Sequence, residues 1–289
     1  MQKTALISLV GEQPIPNLLP ILYFKPEQNL FVHTKQTKEI ARRLQEKFKG
    51  DLEETDAYNM KDIERTLEDS ISLLIKENYQ VWCNLTGGTK PMALAVSRIA
   101  MRYSLPFFYL QSEGSRNIIY KYWVNAGELE LEREEIPTLL NLDLYLYAHQ
   151  GLYEEKETSE NPFEKQIYEV LRENVDEIKR EVRFKAHPAV EIDLVLRRGN
   201  FVGIAEIKSG KKAKEKRALE QLITAGENRF LGTFTNKFLI LDREYEENNR
   251  KLAQAFKVEV VELPSAQEGP LSDADRQKLI EAIRRKLSN

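Results

Sequence analysis

Asp193, Glu206 and Lys208 are the residues of this chain best suited by type and spacing to do chemistry. They lie in two apolar runs, Glu191-Ile192-Asp193-Leu194-Val195-Leu196 and Phe201-Val202-Gly203-Ile204-Ala205-Glu206-Ile207-Lys208, separated by Arg197-Arg198-Gly199-Asn200. The pattern predicts a β-hairpin that turns at Gly199-Asn200. With a two-residue loop, pairing runs back from the turn so that Asp193 lies directly across from Glu206. Strand side chains alternate, which puts Glu206 and Lys208 on one face. Two carboxylates and a lysine therefore converge. Such carboxylates can hold a hard divalent cation, which polarises a phosphate and acidifies a bound water. Lys208 can orient that water or neutralise charge in the transition state. The plain alternative is a solvated strand face with alternating charges. Ile204, Ala205 and Ile207 argue instead for burial on both faces.

A second run, Asn84-Leu85-Thr86-Gly87-Gly88-Thr89-Lys90-Pro91-Met92, follows the apolar stretch Tyr79–Cys83 and opens a helix-like stretch, Met92 to Arg102. Two glycines let a backbone approach a ligand closely. Free N–H groups at a helix start, the helix dipole and Lys90 favour a phosphate there, and Pro91 suits a first turn. The run is not a P-loop, because that pattern needs four residues between its first Gly and the Gly-Lys pair. An ordinary strand-to-helix turn would read the same way.

The elements that must position these groups fall into two α/β blocks. In the first, strands at Thr4–Val10, Asn29–His33, Val81–Leu85 and Pro106–Leu110 alternate with helices at Asn17–Phe24, Thr37–Phe48, Ile63–Lys76 and Met92–Arg102. That order predicts a parallel sheet with helices on both faces. An antiparallel pair, Asn117–Val124 and Glu128–Glu134, is expected at its edge. Ligands bind beyond the carboxyl ends of such strands, where Gly11-Glu12-Gln13-Pro14 and Thr86-Gly87-Gly88-Thr89-Lys90 both fall. A helix from Ile136 to His149 closes this block, residues 1–150, and the charged stretch 151–162 reads as a linker. The second block, 163–289, holds a helix from Phe163 to Asn174, strand Ile178–Phe184 and the hairpin. Helix Ala213–Phe230, strand Lys237–Asp242, helix Glu247–Phe256, strand Val258–Leu263 and helix Ser272–Leu287 complete a mixed-sheet domain.

Composition sets outer limits. At 289 residues the chain suits two domains, and a formal charge of −3 leaves no global basic footprint, so any nucleic-acid contact must be local. One cysteine, Cys83, excludes an intrachain disulfide and fits a reducing cytoplasm. The apolar run Ala5–Val10 is too short for a signal peptide. No run reaches the roughly 18 apolar residues of a membrane helix, so no membrane partner is expected. His33 and His149 lack metal-ligand spacing and are expected to be structural. Lys211-Lys212-Ala213-Lys214-Glu215-Lys216-Arg217 suits either a solvated helix start or phosphate contact.

The order of a helix with Glu164, then Asp193, then Glu206-Ile207-Lys208, then a helix with Gln221 resembles the PD-(D/E)XK nuclease superfamily over roughly residues 160–265. Ile192 stands where the family name has Pro. The resemblance implies a restriction-endonuclease-like domain that binds Mg²⁺ or Mn²⁺ through Asp193, Glu206 and the main-chain carbonyl of Ile207. It implies supporting roles for Glu164, as a further ligand or through a water, and for Gln221, which would position the lysine or the substrate.

Residues 1–150 resemble the CARF domain, the Rossmann-like sensor of type III CRISPR systems, through Leu9-Val10-Gly11-Glu12-Gln13-Pro14 and Asn84-Leu85-Thr86-Gly87-Gly88-Thr89-Lys90. The resemblance implies that Gly11, Glu12, Gln13, Pro14, Thr86, Gly87, Gly88, Thr89 and Lys90 bind a cyclic oligoadenylate, with cyclic tetra-adenylate first choice. A CARF domain joined to a PD-(D/E)XK domain is similar to the ancillary nucleases of those systems. It implies a homodimer that cleaves RNA and/or DNA when the messenger binds. Two other readings stay open: a cyclic nucleotide sensor without nuclease activity, and a restriction or repair nuclease without messenger control. Arg180 and His187 fit the spacing of HEPN ribonucleases, but that pair needs a helix, and the segment reads as strand.

Overall fold

The structure is a computed structural model that describes residues 3–113, 116–156, 161–227, 230–232 and 235–287. The chain forms two compact units, Met1–Leu139 and Leu140–Asn289.

In the first unit the elements run β1 Lys3–Leu9, α1 Ile15–Phe24, β2 Gln28–His33, α2 Lys38–Lys47, β3 Gly50–Glu54, α3 Met60–Lys76, β4 Tyr79–Asn84, α4 Lys90–Arg102, β5 Phe107–Glu113, β6 Arg116–Asn125 and β7 Glu128–Glu135. They build a sheet of order β3-β2-β1-β4-β5-β6-β7. Pairing is parallel from β3 through β5 and antiparallel from β5 through β7. The central strands are continuous apolar runs because helices cover both faces. On one face, Ile63, Leu67 and Ile71 of α3 and Val96 and Ile99 of α4 pack on Ile7, Leu9, Val32 and Cys83. On the other, Phe24 of α1 stacks on Phe108 with ring centres 5.0 Å apart. Cys83 is a buried free thiol in the core.

Strand order reverses between β1 and β4, so the crevice beyond their carboxyl ends is the switch point where such folds take ligands. Strand β3 is absent from the sequence reading. Gly-Asp-Leu-Glu-Glu shows no apolar alternation, and it pairs only at the sheet edge, on β2. The opposite edge, β7, is exposed and Glu-rich. A second copy of either acidic strand would set like charges opposite each other, which guards both edges against pairing with another chain.

The second unit runs α5 Leu142–Gln150, β8 Tyr153–Glu154, α6 Pro162–Arg172, β9 Glu177–Phe184, β10 His187–Arg198, β11 Phe201–Lys208, α7 Arg217–Ala225, β12 Asn236–Leu241, α8 Glu247–Ala255, β13 Val258–Glu262 and α9 Asp273–Lys286. Its sheet has the order β13-β12-β11-β10-β9-β8. The β11–β12–β13 half is parallel and the β8–β9–β10–β11 half antiparallel. Both units are thus α/β with mixed sheets, as expected.

Several boundaries differ from the sequence reading. The helix expected from Ile136 begins only at Leu142, where Asn141 caps it by accepting from the Leu144 N–H, and it packs on β8, β9 and β10 of the second unit. Within the stretch expected to be linker, Tyr153 and Glu154 pair with Phe184 and Arg183 as β8, while residues 157–160 lie outside those described. The helix expected over Ala213–Phe230 is a 3-10 turn, Gly210–Lys214, followed by α7, which Gly226 terminates. Residues 228 and 229 of that expected helix also lie outside the described residues. Arg180 and His187 sit on β9 and β10, which removes the helix that the HEPN reading needs.

The β1 and β4 ends come together through glycine. A Cβ built on Gly87 would lie 2.0 Å from the Leu9 carbonyl oxygen, and Gly88 holds a φ of 69°. Gly87→Ala should therefore force the loop off β1 and cost about 1–3 kcal/mol. Both tryptophans, Trp82 and Trp123, lie in the first unit. Their fluorescence in a urea titration should show an earlier midpoint for the variant, and an unchanged midpoint would refute the close contact.

Candidate functional site

The β10–β11 hairpin forms as the sequence predicts. Arg198 pairs with Phe201 and Leu194 with Ala205 across a two-residue Gly199-Asn200 turn, with Gly199 at a φ of 59°. The buried Arg197 guanidinium pins this end, donating to Glu177 at 2.8 Å, Asp176 at 3.2 Å and the Gly199 carbonyl at 2.6 Å. Register matters because a one-residue slip would exchange the two faces. Leu194, Ala205 and Ile207 pack with Phe163 and Ile167 of α6 and with Leu279 and Ile283 of α9. Alternation then sends Asp193, Glu206 and Lys208 to the opposite face, and α7 packs on β11 through its buried Leu219 and Leu222.

The three groups meet. Lys208 Nζ lies 2.7 Å from Glu206 Oε1 and 3.0 Å from Asp193 Oδ2, and donates to the Ile207 carbonyl at 3.1 Å. Asp193 Oδ2 also accepts the Ile207 N–H at 2.7 Å. Glu206 is only 3% exposed. Burial, reinforced by the Asp193 charge, pushes its carboxyl up to about 7. Burial raises Asp193 as well, against the opposing pull of Lys208 and the Ile207 N–H. Burial alone would lower the Lys208 ammonium, but the two carboxylates outweigh it and hold it above the usual lysine value.

Three hard oxygens thus converge on one cationic group. They are the oxygens expected to bind Mg²⁺ or Mn²⁺, and they suit such an ion in donor type, with waters completing its shell. Among the described residues, no cluster of three or more His, Cys, Asp or Glu side chains is arranged to hold a metal. The donor set here is two carboxylates and one main-chain carbonyl.

The other expected groups stand further out. Glu164 lies in the first turn of α6, where its Oε1 accepts from Asn161 Nδ2 at 3.0 Å. That helix packs on the sheet face away from the Asp193–Glu206–Lys208 set. Gln221 is half-buried on α7, on the same face as the set. The sequence reading missed Asp242. This buried carboxylate at the end of β12 accepts the Gly210 N–H at 2.8 Å and holds Arg243 at 2.8 Å, while its own N–H donates to the Lys208 carbonyl. An acidic residue closing an apolar strand was the available signal.

At the switch point of the first unit, a Cβ on Gly11 would lie 3.1 Å from the Gly88 nitrogen, so the two loops touch through backbone. Thr89 caps α4 by accepting the Met92 N–H at 3.3 Å, and its hydroxyl donates to the Ala57 carbonyl. Thr86 Oγ1 accepts the Leu110 N–H at 2.8 Å. Lys90 and Glu12 are exposed, Gln13 is half-buried, and Pro14 is buried as it leads into α1. Asn84, unassigned in the sequence reading, ties this rim together. Its Nδ2 donates to the Pro16 carbonyl at 2.8 Å and to Asn17 Oδ1 at 3.2 Å, and its Oδ1 accepts the Thr86 N–H at 3.0 Å. A fully buried amide at the end of an apolar strand marks it. Beneath the same rim, Ser8 Oγ and Asn17 Nδ2 are buried without a hydrogen-bond partner.

Residues 5–144 match the family model of the Card1 CARF domain. No curated protein sequence matches the chain. Among solved structures, Can2 from Sulfobacillus thermosulfidooxidans, in complex with cyclic tetra-adenylate, superposes with a TM-score of 0.75 at 15% identity, covering 98% of this chain and 99% of its own. Protein VC1899 from Vibrio cholerae superposes with a TM-score of 0.76 at 11% identity, over 99% of both chains. A type III CRISPR defence DNA nuclease activated by cyclic oligoadenylate superposes with a TM-score of 0.59 at 15% identity, over 85% of this chain and 46% of its own. The two-unit fold is therefore that of Can2 and VC1899. No helix among the described residues is long and apolar enough to cross a membrane.

The raised Glu206 carboxyl has a consequence for stability. Its ordinary value is 4.5, and in the fold it lies near 7. Between these values the folded chain keeps a proton that the unfolded chain has released. The resulting stabilisation is fully present below about pH 4.5 and is lost as pH rises to about 7. Asp193, shifted in the same direction, adds with the same sign. Glu206→Gln removes the Glu206 titration at similar volume. Scanning calorimetry across this window should show wild type losing stability relative to Glu206→Gln with rising pH, then levelling. A flat difference, or one of opposite slope, would refute the shift.

Proposed function

We propose that this chain, whose first unit carries a CARF domain of the Card1 type, is a divalent-metal-dependent nuclease switched on by a cyclic oligoadenylate in type III CRISPR defence. The observation that carries the nuclease reading is the convergence of Asp193 Oδ2, Glu206 Oε1 and the Ile207 carbonyl on one cationic group. The whole-chain likeness to Can2, bound to cyclic tetra-adenylate, supports the messenger and favours that ring size. The likeness to a messenger-activated DNA nuclease supports nucleic acid as substrate, DNA and/or RNA.

Asp193, Glu206 and the Ile207 carbonyl would hold Mg²⁺ or Mn²⁺, which when bound polarises a phosphodiester and acidifies water. Lys208 donates to the attacking water or to a phosphate oxygen and offsets charge there. Gln221, on the same sheet face, positions Lys208 or the substrate, whereas Glu164, on the helix that covers the opposite face, keeps its contact to Asn161. Lys211, Lys212 and Arg217, exposed and close after Lys208 in the chain, suit phosphate contacts that read no sequence.

In the first unit, Gly11, Glu12, Gln13 and Pro14 face Thr86, Gly87, Gly88, Thr89 and Lys90 across the switch point. The N–H groups at the start of α4, its dipole and Lys90 favour messenger phosphates. A symmetric ring suits two copies of the chain offering identical contacts, hence a homodimer. The buried, reduced thiol suits a cytoplasmic setting, where the messenger would be made.

Labelled RNA and DNA, incubated with and without cyclic tetra-adenylate and Mn²⁺, test the reading. Cleavage is expected only with both. Glu206→Ala should abolish it and leave messenger affinity intact, and near wild-type cleavage in that variant would remove the assignment. Cleavage indifferent to messenger would point to a restriction or repair nuclease. Messenger binding without cleavage under any condition would point to a sensor alone.

The rim has its own test. Lys90→Ala should weaken cyclic tetra-adenylate binding by about 1.5–3 kcal/mol, the worth of one charge-assisted hydrogen bond. Calorimetry measures it, and unchanged affinity would place the phosphates elsewhere.

A further inference from the structure

The Lys208 ammonium sits where a metal ion is needed. Its three acceptors, Glu206 Oε1 at 2.7 Å, Asp193 Oδ2 at 3.0 Å and the Ile207 carbonyl at 3.1 Å, are the three oxygens of the donor set described above. An ammonium is a compact cation with three donors, and each donor here finds an oxygen. The position is also sheltered, with the Lys208 side chain 20% exposed and Glu206 nearly enclosed. A dication bound by the same oxygens would lie close to the ammonium, and two cations repel strongly in a desolvated site.

We propose that Lys208 is an internal counter-cation that competes with the divalent ion for one set of oxygens, so that metal binding requires the lysine to swing out. This rests on the metal-dependent reading of the same site. The lysine thereby has two positions. In one it neutralises the buried carboxylates and closes the site. In the other its ammonium is released toward solvent or toward the phosphate of a bound nucleic acid. The released position is available only when a dication takes over the neutralising role. A phosphate that accepts from Lys208 therefore favours metal binding, and by linkage the metal favours phosphate binding. The resting chain would hold metal weakly until nucleic acid arrives, which suits an enzyme that must stay silent between signals.

The direct test titrates Mn²⁺ alone into the full-length chain at pH 8, without nucleic acid, by calorimetry and by electron paramagnetic resonance of free Mn²⁺. Lys208→Met keeps an apolar stem of similar length and removes the charge. It should bind Mn²⁺ at least about tenfold more tightly than wild type, the scale of losing charge-assisted hydrogen bonds. The same variant without metal should melt below wild type, because two carboxylates then face each other uncompensated, and Mn²⁺ should raise its melting temperature more than that of wild type. Glu206→Gln should lose Mn²⁺ binding in both backgrounds. Equal or weaker Mn²⁺ binding by Lys208→Met, with Glu206→Gln still abolishing it, would overturn the competition and leave the metal site standing. Absence of Mn²⁺ binding in wild type and Lys208→Met alike would overturn both.

Discussion

The arrangement of the second unit depends on one ammonium shared by two buried carboxylates. Asp193 and Glu206 lie side by side on adjacent strands with little access to water, an arrangement that repulsion and desolvation both oppose. Lys208 makes it tolerable by accepting the geometry of β11, which returns its side chain to the face of Glu206 two residues earlier. The remaining strain shows in the direction of both carboxyl shifts, which are upward despite the lysine. Structural ion pairs usually hold carboxylates low. A pair held high beside its own cation is poised to exchange that cation or to take a proton, which is the behaviour expected of a site that does chemistry.

Everything around the hairpin fixes its register. Arg197 clamps the turn end to Asp176, Glu177 and the Gly199 carbonyl. The apolar alternates Leu194, Ala205 and Ile207 are committed to α6 and α9. A slip of one residue would bury the charges in that layer and expose the leucine. The packing energy of one sheet face is thus what aims the polar groups on the other. Asp242 extends the same logic to the loop that follows, because its carboxylate fixes the Gly210 N–H two residues after Lys208.

The first unit solves a different problem with backbone rather than charge. Its rim is made by the carboxyl ends of β1 and β4, where strand order reverses. Gly11, Gly87 and Gly88 let these two ends touch, and Asn84 ties them to the start of α1 and to Thr86. What this presents is a helix N-terminus, main-chain groups and an exposed lysine, groups of a kind that favour an anion with little side-chain machinery. The rim of the first unit is therefore built mainly by main chain and the hairpin of the second by buried charge, and each unit carries one of them alone.

Local pattern made much of this legible in the sequence. Continuous apolar runs marked the central strands, Gly199-Asn200 marked the turn, and two-residue periodicity then placed Asp193 opposite Glu206 and Lys208 beside it. These are short-range consequences of chain geometry, so no long-range information was needed. Edge strand β3 was not legible, because it forms through main-chain pairing to β2 and has no buried face to leave a pattern. The helix Leu142–Gln150 also escaped correct placement, because amphipathicity says that a helix packs, not on which unit. Only the tertiary structure decided that Lys208 takes the Ile207 carbonyl together with both carboxylates, that α6 with Glu164 covers the opposite sheet face, that Asn84 ties the end of β4 to α1, and that Asp242 holds the loop after β11. Apart from Glu206 and Ile207 beside Lys208, the partners joined here are distant in the chain, and their contacts follow from the order in which strands assemble, which the sequence encodes only through packing.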